Sequence, residues 1–190
     1  ICRLRATGSG MALMRSTSSG VGGGGWAAFM EIGMILVIEE NYMTRSEIVT
    51  AEIIAGLPEP VRRYMNWSGV VGRPWIRTAY VKQSGLFRLG LDKPWMPLKA
   101  EQIFTVDPPG LRWNARFKLY GLPLMSARDT YQNGQGRMFG KLAGLVTLFD
   151  DRSEKLSFGT QMRYLSEIIW LPTAYLSDKI SWSPVDDNAA

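Results

Sequence analysis

The chain predicts an α+β fold: an antiparallel meander with helices packed on one face. Three observations lead there. Leu111, Trp113, Ala115, Phe117 and Leu119 alternate with Arg112, Asn114, Arg116 and Lys118. Side chains on a strand point alternately to opposite faces, so this stretch has one apolar face and one cationic face. Extended runs on either side are joined by tight-turn sequences, and strands joined in that way pair antiparallel. From Ser157 to Leu171 the apolar period lengthens to that of a helix, with Met162, Leu165, Ile168 and Ile169 as its stripe and Pro172 just beyond.

Composition removes several chemistries. The 190 residues suffice for one core. Cys2 is the single cysteine and there is no histidine. Internal disulfides, cysteine metal clusters, histidine-activated nucleophiles and the usual zinc sites are therefore excluded, and neither a metal nor a cofactor is expected. The net charge is +5, of which +3 comes from Arg3, Arg5 and Arg15. The rest of the chain holds 19 basic and 17 acidic residues. A body so nearly balanced argues against a nucleic-acid partner.

Taken in order, residues 1–25 are rich in Gly and Ser and are expected to form a disordered low-complexity segment. Residues 26–56 hold an apolar run, Trp26–Ile38, and an N-terminal helix. The run is shorter than the roughly 20 residues a membrane span needs, and Glu31 inside it makes insertion costly. A short helix is expected there, not a transmembrane span. Arg15 ahead of it gives a loose signal-peptide pattern, but Glu39, Glu40 and Asn41 follow where a small-residue cleavage site belongs. Localisation is left open between cell envelope and cytoplasm. Thr44 with Glu47 reads as a capping box for a helix through Ile48, Ala51, Ile54 and Ala55 that stops at Gly56.

Residues 57–190 are expected to belong to one α+β domain. A helix starts at Pro58–Pro60, buries Val61, Tyr64 and Met65, exposes Arg62 and Arg63, and ends before Gly69. Both helices are expected to cover part of the apolar sheet face. Strands follow at Trp75–Ser84, with a break or bulge at Gly85, and at Lys99–Val106, with Ala100, Gln102, Phe104 and Val106 on one face. Asp107-Pro108-Pro109-Gly110 is a turn, with Asp107 expected to make an Asx-type bond to its own backbone. Further strands are expected at Leu124–Tyr131, ending at Asn133-Gly134, and within Arg137–Phe149. Ser181–Trp182 reads as the start of another.

Two sets of residues are candidates for a site. Trp75, Tyr80, Phe104, Trp113, Phe117, Tyr131 and Trp170 supply aromatic surface for an apolar lining, or fill the core between sheet and helix. Glu101, Asp129 and Arg163 are the polar candidates. With no histidine, paired carboxylates are the acid–base chemistry left open. Arg163 and Glu167 are spaced for an ion pair on the last helix. No nucleophile elbow and no dinucleotide-binding fingerprint is present.

Leu57-Pro58-Glu59-Pro60-Val61-Arg62-Arg63-Tyr64 and Ser68-Gly69-Val70-Val71-Gly72-Arg73-Pro74 resemble a family of uncharacterised bacterial proteins carrying a domain of unknown function. The resemblance continues through Phe87-Arg88-Leu89-Gly90, Glu101-Gln102, Phe104 to Gly110, Asp129 with Tyr131, Gly136-Arg137-Met138 and Arg163-Tyr164-Leu165, and covers Leu57 to Asn188. It implies several further strands after Asp187, so that residues 57–190 are the N-terminal portion of one α+β domain with its sheet incomplete at the C-terminal end, and it implies no known reaction. The element order is also similar, at the level of fold, to periplasmic lipoprotein-carrier half-barrels, which implies a curved antiparallel sheet, a half-barrel-like meander, around an apolar cavity for acyl chains. From these features, a lipid or other apolar small molecule held in the concave face is the expected ligand. The alternatives are a carboxylate-dependent enzyme and a structural fragment that self-associates through an open sheet edge.

Overall fold

The computed structural model describes residues 11–19, 29–37 and 47–190. Six strands run in sequence order as an antiparallel meander: β3 (Thr78–Arg88), β4 (Met96–Thr105), β5 (Gly110–Leu119), β6 (Leu122–Gln132), β7 (Gln135–Leu142) and β8 (Val146–Asp151). β1 (Met11–Ser19) and β2 (Phe29–Val37) continue the sheet beyond β3, with β2 antiparallel to it. The outer strands β1 and β8 do not meet, so the sheet stays open and is no barrel.

The N-terminal readings change accordingly. Trp26–Ile38 was the expected helix, yet Phe29–Val37 is a strand. A short apolar run has no period that separates strand from helix, and an available β3 edge decides for the strand. Met11–Ser19, inside the segment expected to be disordered, is extended beside β2. Thr44, and with it the capping box, lies outside the described residues.

The next helix, α1 (Ala51–Ala55), starts later than the box would place it. Residues Glu47–Val49 pair instead with Gly72–Trp75: Val49 N–H donates to the Arg73 carbonyl at 2.9 Å, and Trp75 N–H to that of Glu47 at 3.0 Å. α2 (Glu59–Ser68) matches its expected bounds, with Val61 and Met65 buried and Gly69 closing it at φ +72°. That left-handed geometry suits a residue without a Cβ.

These two helices do not cover the sheet. Val49, Ile54, Val61, Met65 and Val70 form a second core with Trp75, Tyr175, Leu176 and Trp182. Val49 and Ile54, before Gly56, thus pack against residues that follow it. Trp182 is no strand residue; its indole N–H donates to the Tyr175 carbonyl at 3.0 Å, and the two rings pack 5.8 Å apart.

The sheet follows the period-two pattern closely. Leu98, Ala100, Gln102 and Phe104 on β4 face inward, as do Leu111, Trp113, Ala115 and Phe117 on β5. β3 runs through Gly85 in regular register, without a bulge. At the following turn Thr105 Oγ1 donates to the Pro108 carbonyl at 2.8 Å, in place of the expected Asp107 bond.

The dry face is closed by α3 (Glu154–Glu167) and by the 3-10 turns Ile168–Trp170 and Pro172–Leu176. α3 begins at the Ser153 cap, whose hydroxyl accepts from Leu156 N–H. Its expected stripe is only partly inward: Ile168 is fully buried, but Met162 is 51% and Ile169 47% exposed. Thr160 and Tyr164 face the sheet instead, because Gly136 there leaves a notch that the helix backbone enters. Thr173, fully buried, donates to the Ile76 carbonyl at 2.8 Å and accepts from Ile76 N–H at 3.1 Å.

Candidate functional site

Three dry-face positions carry polar side chains where the alternation calls for apolar ones: Gln83 on β3, Gln102 on β4 and Asp129 on β6. Gln102 lies opposite Trp113 on β5, and Trp113 lies opposite Asp129. Burial obliges such groups to find partners. Trp113 Nε1–H donates to Gln83 Oε1 at 2.7 Å, and Gln83 Nε2 to Gln102 Oε1 at 3.1 Å. Gln102 Nε2 then donates to Glu167 Oε2 at 2.5 Å. Arg163 completes the chain, giving Nε–H to Glu167 Oε1 at 2.9 Å and Nη1–H to Asp129 Oδ2 at 2.6 Å. Its guanidinium stands 5.4 Å from the Trp113 ring centroid.

Asp129 is 2% exposed and its Oδ1 has no hydrogen-bond partner. Burial pushes its carboxyl above the ordinary range, with Arg163 pulling it back. Burial also works against the Arg163 charge, but Glu167 and Asp129 outweigh it and the pKa is raised. Two carboxylates thus share one guanidinium, and the group is a clamp joining α3 to β3, β4, β5 and β6. Glu167, Gln83 and Gln102 were missed as site residues. The signal was available: β3, β4 and β6 each break their apolar phase with a polar residue, Gln102 and Asp129 on either side of Trp113 in one cross-strand row and Gln83 two residues along β3.

The other face differs in charge. A groove of about 870 Å³ is floored by the polar sides of β3 to β7. In register across it run two rows. One is Lys82, Glu101, Asn114, Arg128, Phe139; the other is Ser84, Lys99, Arg116, Ser126, Lys141. Five cations face a single carboxylate, and Lys99 stands directly opposite Arg116. Like charges so opposed weaken a sheet by a few tenths to about 1 kcal/mol. A smaller recess of about 320 Å³ lies between the Asp107–Pro109 turn and α3, lined by Tyr131, Tyr164 and Lys179 among others. Burial pushes the Tyr164 hydroxyl up to about 12, and it donates to the Thr105 carbonyl at 3.0 Å.

The sequence candidates are dispersed. Phe104, Trp113, Phe117 and Tyr131 lie in the dry-face core, with Trp170 at its margin. Trp75 belongs to the second core, and Tyr80 lies on the opposite face beside Lys82. Of these aromatic residues, only Tyr131 lines either recess. Asp129 and Arg163 meet, whereas Glu101 sits in the cationic groove and does not join them. Among the described residues no three His, Cys, Asp or Glu side chains are grouped to hold a metal ion. None of the helices among them is long and apolar enough to cross a membrane.

Fold and site together define an open-faced α+β domain, one side of its sheet clamped under a helix and the other lined with cations. The chain belongs to a family of unknown function, DUF6544, whose model matches residues 47–190. The match starts at the Glu47–Val49 segment and takes in the Leu57–Pro74 block. No curated protein matches the chain. No solved structure matches it either, so the likeness to lipoprotein carriers has no structural neighbour behind it.

Proposed function

We propose that this domain is a ligand-binding module that works through the open polar face of its sheet. The supporting observation is the groove itself: five strands contribute to it, and its five cations face one carboxylate, Glu101. A lipid or apolar molecule on the dry face is less well supported, because Leu98, Phe104 and Phe117 there are already almost fully buried. Carboxylate catalysis is also less well supported, since Arg163 fills the position between Asp129 and Glu167 where a substrate would have to stand.

The test is a screen of small polar metabolites by amide shift perturbation on labelled protein. Binding is expected to move the amides of Ser84, Lys99, Arg116 and Ser126. Shifts confined to the Asp129–Arg163–Glu167 region would transfer the site to the clamp and sink this reading.

A second use of the same sheet is self-association at β8. Among the described residues this strand pairs with β7 alone, all its residues are exposed, and Val146, Leu148 and Phe149 are among them. Such edges are prone to pairing with another chain. Light scattering is expected to give a mass that rises with concentration and falls back when Leu148→Lys is introduced. A concentration-independent monomer would remove the idea.

A further inference from the structure

We infer that the groove's ligand carries two or more phosphate groups, held along the row Ser84, Lys99, Arg116, Ser126 and Lys141. This rests on the reading of the open face as the ligand surface and names the chemistry of its ligand.

The row spans five neighbouring strands, so its positions are spaced by about 4.8 Å and Lys99 to Lys141 covers about 14 Å. That is wider than one phosphate and suits two or three in series. Ser84 and Ser126 place hydroxyl donors in line with the three cations. Hydroxyls donate to phosphate oxygens, and a guanidinium grips two of them at once. Neither Lys99 nor Arg116 has an ion-pair partner among the described residues, although each faces the other's charge. An anion between them removes that repulsion.

The parallel row supplies the rest of the recognition. Glu101 offers an acceptor, and Arg128 Nε–H already orients the Asn114 amide at 2.7 Å. Phe139, between Arg137 and Lys141, presents a ring at its far end. Hydroxyl groups and a short apolar part of the ligand fit there. The phosphates can belong to a soluble metabolite or to a lipid headgroup, and the chemistry on the row is the same for both.

Calorimetric titration of the full chain with orthophosphate, pyrophosphate and tripolyphosphate tests the inference. It is paired with flotation on phosphatidylcholine vesicles with and without cardiolipin, whose headgroup holds two phosphates. Pyrophosphate or tripolyphosphate is expected to bind at least about tenfold more tightly than orthophosphate, with salt weakening all of them. Flotation with cardiolipin but no binding of soluble polyphosphates assigns the phosphates to a lipid and also supports the inference.

In Lys99→Gln/Arg116→Gln the binding should fall at least about tenfold while the unliganded protein melts at a higher temperature, because the opposed charges are gone. That rise separates lost binding from lost folding. Arg112→Gln, on the same face but outside the groove, should bind as before. Equal weak binding of all three phosphates, insensitive to the double substitution, overturns the inference. If metabolites in the screen still shift Ser84 and Ser126, the open-face reading survives that failure. An oligonucleotide that binds where tripolyphosphate and cardiolipin do not also overturns it, in favour of a nucleic-acid partner.

Discussion

Arg163→Ala is expected to destabilise the domain by about 3 kcal/mol, the scale for removing one partner of a buried ion pair. Asp129 would be left almost fully buried, its Oδ1 already unpartnered and its Oδ2 newly so. Glu167 would keep only the Gln102 amide. Urea unfolding at neutral pH measures the loss. A loss below about 1 kcal/mol would place the pair with ordinary surface bridges and remove the clamp from the account.

The pH dependence has a definite sign. Asp129 has a raised pKa in the fold, so the folded state holds its proton more tightly than the unfolded chain does. Its contribution is present below the ordinary carboxylate pKa and is lost as pH rises through the raised one. In Arg163→Ala the carboxylate has lost its counter-charge, so the deficit should shrink as pH falls and Asp129 takes up a proton. Asp129→Asn should flatten this part of the stability curve.

Gly136→Ala is the second large effect, with an expected loss of about 2–3 kcal/mol. A Cβ at this position would overlap Thr160 Oγ1, stand 2.9 Å from Ser157 Cα and 3.1 Å from the Leu156 carbonyl oxygen. Two of these three atoms are α3 backbone, so the helix must retreat. The bond from Gly136 N–H to Ser157 Oγ, 3.0 Å long, would be strained with it. Gly140→Ala is the control. Its Cβ would meet the Phe149 ring, which is 40% exposed and free to swing away, so a loss below about 1 kcal/mol is expected. Thermal melting of the two variants compares them. If Gly136→Ala melts with the native protein, α3 is not seated in the notch.

Much of the sheet was legible in the sequence because a strand writes its burial in alternate residues. Leu111 to Phe117 and Ala100 to Val106 fell on the expected face, the Asn133–Gly134 turn fell between strands, and the Asp107–Gly110 turn joins β4 to β5, with Gly110 opening β5. Trp26–Ile38 was misread because apolar content without a period does not choose between helix and strand. The place of α1 and α2 was missed for another reason. Their apolar stripes ask for a partner but do not name one, and Leu176 and Trp182 supplied it from more than a hundred residues away.

The site divides the same way. Arg163 and Glu167 were expected to pair from their spacing, and they do, but Asp129 reaches them only through sheet register. The cationic groove was concealed by addition. A net charge sums over the whole chain, whereas Asp150, Asp151, Glu154 and Asp178 balance Lys99 and Arg116 from outside the groove.

Tyr175 packs in both hydrophobic cores at once, its ring edge-on to Tyr64 and its hydroxyl donating to the Leu165 carbonyl at 2.9 Å. The α1–α2 unit and the sheet therefore share this side chain, and Tyr64 adds a second tie to the 3-10 turns, its hydroxyl donating to the Ile169 carbonyl at 3.2 Å. Local opening of one core strips packing from the other, so amide protection in the two is expected to be linked through that ring.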